Sequence, residues 1–103
     1  MRVANAERGE VGFELGGHVL VLRPSFQALV AAEAEMGPLF QMVERASGGE
    51  LTLVEMAGLI WHCVEAPPEG LDRAAFGEAL VAGGLASATP VLRVLLGQIL
   101  AGR

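Results

Sequence analysis

The tightest constraint in this chain is the segment EVGFELGGHVLVLR, residues 10–23. Val11, Phe13 and Leu15 alternate with Gly12 and Glu14, the period of a strand with one apolar face. Gly16-Gly17 comes next, and both residues can adopt positive φ without a Cβ penalty, as a two-residue hairpin loop requires. A loop that short leaves one register, with Leu15 opposite His18, Phe13 opposite Leu20 and Val11 opposite Leu22. These six share a face that is apolar except beside the turn. Glu10, Glu14, Val19, Val21 and Arg23 fall on the other face, with Glu10 and Arg23 opposed as a mild cross-strand attraction. A lone hairpin is marginal in water, so this one must pack on the rest of the chain.

From Pro24 onward the chain has helical spacing and helical caps nearly throughout. Pro24 ends the second strand, and Ser25 is an N-cap for a helix over about 26–36, with Phe26, Leu29, Val30 and Met36 as its apolar side. Gly37 stops it and Pro38 opens a short helix with Leu39, Phe40 and Val43, closed by Ser47-Gly48-Gly49. Thr52 and Glu55 then form a capping box, and Leu51 can staple against Met56. The body of that third helix, LVEMAGLIWHCVEA, is apolar except for a stripe of Glu55, Gly58, His62 and Glu65, which predicts the most buried helix of the fold. Ala66 to Gly70 breaks the pattern. Asp72 caps a fourth helix with Phe76, Ala79 and Leu80 inward, ended by Gly83-Gly84, and Thr89-Pro90 starts a fifth. The expected fold class is α+β: a two-stranded antiparallel β-hairpin followed by a bundle of about five short helices. All of it fits one domain of 103 residues, with 1–9 flexible, the hairpin over 10–23 and the helices over 25–102.

Charge narrows the partners. Charged residues make up 18% of the chain, against about 25% for an ordinary domain, while 52% is hydrophobic. Such a chain is expected to share apolar surface with another copy or another protein. The hairpin residues Val19 and Val21 are surplus to the inner face. The last helix is apolar on more than one side, so Val91, Leu92, Leu95, Leu96 and Ile99 are the other candidates for partner contact. Net charge is −5, there is no lysine, and the seven arginines are scattered, which argues against nucleic acid and against an anionic membrane. The longest uncharged run, 79–92, is too short to span a bilayer and is broken by Gly83-Gly84 and Pro90. A single cysteine and an N-terminus without a signal-peptide core predict a cytoplasmic protein.

No catalytic or cofactor-binding pattern is present. His62 and Cys63 have metal-ligand chemistry, but adjacent helical residues point about 100° apart and cannot readily aim at one ion. A thiol enzyme would need a positioned base for Cys63, and no motif supplies it. ELGGHVL lacks the lysine and the succeeding helix of a phosphate loop. Trp61 reads as a packing residue. No catalytic, cofactor or metal site is therefore assigned, and a small enzyme or metal site using His62 and Cys63 is the remote alternative.

Several short motifs carry a resemblance. They are Gly9 to Val11, the Gly16-Gly17 turn, Leu22-Arg23-Pro24-Ser25-Phe26, Ala28-Leu29, Glu33 and Gly37. Gly49 to Leu53, Phe76 to Leu85 and the late ATPVL extend it. Together they make the chain similar to the small gene transfer agent family proteins of alphaproteobacteria, which are grouped with phage tail assembly chaperones and tail-tube-associated proteins. The resemblance implies a non-enzymatic tail assembly chaperone of a gene transfer agent or prophage, binding the tape-measure protein while tail-tube subunits assemble. It carries no catalytic residue. The alternative it allows is a structural, tail-tube-associated virion protein, found in phage-like particles and able to form homo-oligomers.

Overall fold

The computed structural model describes residues 4–5 and 9–102. Strands β1 (Val11–Leu15) and β2 (His18–Leu22) form the antiparallel hairpin in the register expected, with Val11 paired to Leu22, Phe13 to Leu20 and Leu15 to His18. Gly16 and Gly17 take φ of 58° and 82°, the left-handed conformation a side chain would strain. Helices α1 (Phe26–Met36), α2 (Leu39–Ser47), α3 (Leu53–Cys63), α4 (Arg73–Ala82) and α5 (Thr89–Ala101) come after the hairpin. The α+β class, a hairpin and then five helices, is the one the sequence predicts.

The caps are the predicted ones. Ser25 Oγ accepts from the Ala28 N–H at 3.2 Å, and Asp72 Oδ1 accepts from the Ala75 N–H at 2.8 Å. At α3 the capping box closes both ways: Glu55 N–H donates to Thr52 Oγ1 and Thr52 N–H to Glu55 Oε1, each at 3.1 Å. Thr89, which the sequence reads as an N-cap followed by proline at the first helical position, departs from that role. A 3₁₀ turn over Leu85–Ala88 runs straight into α5, so Thr89 is its first helical residue and Pro90 lies in the first turn, where a missing N–H costs nothing.

A third strand, β3 (Val64–Glu65), lies outside the sequence expectation. It pairs antiparallel with β2, Val21 opposite Glu65 and Leu22 opposite Val64, giving the order β1-β2-β3. The sequence pattern extends α3 to Ala66, but the helix ends at Cys63. Pro67-Pro68 forbids continuation, and the open edge of β2 offers the hydrogen bonds that the helix end lacks. The Arg23 N–H donates to the Cys63 carbonyl at 2.7 Å beside this ladder. Ala66 then turns the chain with φ of 46°.

The added strand changes the outer face of the hairpin. Val21, expected outside, is 4% exposed, whereas Val19 is 41% exposed. Arg23 pairs with Glu65 at 3.7 Å. Glu10, also expected on the outer face, is buried, and its carboxylate accepts from the Asn5 N–H at 2.9 Å while its own N–H donates to the Asn5 carbonyl. Most of the segment expected to be flexible, 1–3 and 6–8, lies outside the described residues.

One core lies between sheet and helices. Phe13, Leu15, Leu20 and Leu22 from the inner sheet face meet Leu59, Ile60 and Cys63 of α3, Phe76 and Leu80 of α4, and Leu95 of α5. As its composition predicts, α3 is the most buried helix, with Gly58, Leu59, Ile60 and Cys63 inside. Trp61 packs its ring on Phe76, centroids 5.4 Å apart at 47°.

Candidate partner-binding surfaces

The polar stripe of α3 does not face water. It ties neighbouring helices together. Glu55 takes a two-pronged ion pair from Arg45 of α2, one contact being Arg45 Nη1 to Oε1 at 2.7 Å. His62 Nε2 lies 2.7 Å from Glu35 Oε1 of α1. Arg73 of α4 donates to the same carboxylate at 3.0 and 2.7 Å. Gly58 permits that crossing: a Cβ there would sit 2.6 Å from Met36 Sδ and 3.0 Å from Arg73 Nη2.

Hydrogen bonds from Arg73 and then His62 hold the Glu35 carboxyl down at about 2, and Arg45 with the Thr52 N–H does the same for Glu55; the ordinary value is 4.5. Both groups are therefore more acidic folded than unfolded. The stability they add is present above about pH 4.5 and is lost as pH falls towards 2. Thermal midpoints measured across that window should fall more steeply in the wild type than in Glu35→Gln/Glu55→Gln. Equal slopes would remove these pairs from the acid response.

His62 and Cys63 serve separate surroundings. His62 faces Glu35, while the Cys63 thiol is buried in the core and pushed up to about 12 by burial, protonated and unreactive at neutral pH. Among the described residues no group of three or more His, Cys, Asp or Glu side chains could hold a metal ion.

The residues expected to meet a partner divide by burial. Val21 and Leu95 are buried in this chain and offer no surface. Val91, Leu92, Leu96 and Ile99 are half-buried against the core, because together with Leu95 they form the stripe of α5 that faces inward. Val19 is exposed. The exposed large side chains lie elsewhere. Phe26 is 83% and Phe40 76% exposed, although spacing predicts both on the apolar sides of α1 and α2. The buried positions of those helices are Ala32 and Met42. Val54, Val81, Val94 and Leu100 also face outward.

Val54, Val81 and Leu100 border two grooves. One, about 360 Å³, lies between α3 and α4, walled by Leu53, Val54 and Val81 over Ala57, Ala74 and Gly77. The other, about 490 Å³, lies between α2 and α5, walled by Val43, Leu96 and Leu100 over Ala46, Ser47 and Gly97.

A family model described as phage tail tube protein, GTA-gp10 matches residues 8–102. The chain belongs to that family. The match runs from the start of the hairpin to the end of α5, so it takes in both grooves. The resemblance to gene transfer agent tail proteins, read from short motifs, thereby holds over the whole fold. No curated protein and no solved structure matches significantly. The family description names a tail-tube protein, and it favours the structural alternative over the chaperone expected first. Among the described residues no single helix is long and apolar enough to cross a membrane.

Proposed function

We propose that this chain is a non-enzymatic structural protein associated with the tail tube of a phage-like particle, a gene transfer agent or a prophage, and that it works by contact with other tail subunits or with further copies of itself. The observation that carries this reading is the family match over residues 8–102. The low charge content and the outward Phe26 and Phe40 support it, since large apolar side chains on a small acidic body are what subunit contacts would cover. Quantitative mass spectrometry of purified particles tests it. The chain should be present in a fixed ratio to the other tail proteins, and its absence from finished particles ends the reading.

A second reading, an assembly chaperone that holds the tape-measure protein, is favoured by one feature. The three strands hold only five, five and two residues, little material for a wall closed by β-structure. On that reading the chain is missing from particles, and co-expression raises the solubility of the tape-measure protein through helix-in-groove contact. Unchanged solubility excludes it.

A further inference from the structure

Two helices each present one glycine and one charge on an outward stripe, and the two charges are opposite in sign. On α4, Ala74, Gly77, Glu78 and Val81 stand at i, i+3, i+4 and i+7, and on α5, Arg93, Leu96, Gly97 and Leu100 do the same. Positions so spaced share one face of a helix. The α4 set lines the groove beside α3 and the α5 set lines the groove beside α2. Within each set only Gly77 and Leu96 are half-buried; the remainder are exposed.

The glycines have no use inside the chain. Gly77 and Gly97 lie in helix interiors, where glycine costs about 1 kcal/mol relative to alanine. A Cβ at either would meet nothing within 4 Å. Neither backbone needs positive φ. A closely approaching neighbour is what such positions accommodate.

The charges are also unspent. Arg23, Arg45 and Arg73 each pair with a carboxylate, on Glu65, Glu55 and Glu35 respectively. Among the described arginines, Arg93 alone has no acidic partner, and among the described residues Glu78 has no basic one. One groove thus carries a free cation on its rim and the other a free anion.

We infer that the α4 face of one copy seats antiparallel on the α5 face of the next, Gly77 opposite Gly97 and Glu78 pairing with Arg93, with Val81 and Leu100 flanking the glycine contact on either side. With the helices antiparallel, opposing the glycines sets Glu78 within about one helical turn of Arg93, inside the reach of an arginine. Two different surfaces meeting head to tail generate a ring or a filament. The inference rests on the tail reading only for the expectation of repeated subunits.

Sedimentation velocity of the purified chain, up to about 1 mM, tests it. The wild type should self-associate with concentration. Arg93→Glu and Glu78→Arg should each weaken association roughly tenfold or more, and the double exchange should restore it. Gly77→Ala and Gly97→Ala should raise the melting temperature and yet weaken association, a combination that general destabilisation does not produce. A wild type that stays monomeric, or single charge variants without effect, overturns the inference. Presence in particles alongside a monomeric chain sinks this contact alone, and self-association with absence from particles sinks the tail reading alone.

Discussion

Replacing Phe76 by alanine will cost the fold about 3–5 kcal/mol, a large share of the 5–15 kcal/mol that holds a domain of this size together. Phe76 is wholly buried and lies where α4 meets α3, its ring against Trp61. Truncation removes the aromatic pair and leaves a hole that rigid neighbours on two helices cannot close. Urea denaturation followed by circular dichroism will show the midpoint shift. Because Trp61 is the only tryptophan, its emission reports the same site and should move to the red. A loss below about 1 kcal/mol would mean that α4 does not belong to the core described.

The second large effect separates the two faces of the hairpin. Leu22→Ala should cost about 2–5 kcal/mol, since Leu22 is fully buried between the sheet and the helices and pairs with Val11 on one side and Val64 on the other. Val21→Ala should cost about 1.5 kcal/mol, two methyl groups' worth of burial, because Val21 is buried between its pairing with Glu65 of β3 and its pairing with Gly12, over which Ala4 comes. Val19→Ala should stay within about 0.5 kcal/mol. Equal losses at Val21 and Val19 would mean that Val21 is not covered as described.

The hairpin is legible in the sequence because a two-residue glycine turn fixes register, and register fixes which side chains share a face. The helix starts are legible because Ser25, Thr52 and Asp72 bond their own backbone within three residues. Both are local chemistry. The third strand is not legible, since a two-residue strand has no periodicity, and Val64–Glu65 is extended only because β2 lies alongside. Without that strand, alternation alone puts Val21 outside. On α1 the sequence points to Phe26, Leu29, Val30 and Met36; Leu29 and Met36 do pack against the core beside the buried Ala32, whereas Phe26 and Val30 face outward. The outward pattern on α4 and α5 is readable at i, i+3, i+4 and i+7, but Arg93 and Glu78 become informative only once the other arginines are seen to be paired.

Among the described residues the ion pairs join α1, α2, α3, α4 and the sheet edge, and none reaches α5. The final helix is held by apolar contact. The two regions therefore answer to different solvent variables. Added salt screens the charge ties and leaves the α5 seam alone or tighter, whereas chilling weakens hydrophobic attachment first. Below the protein's temperature of greatest stability, opening is expected to begin at the C-terminal helix, which among the described residues has no charge tie to add to its apolar contacts.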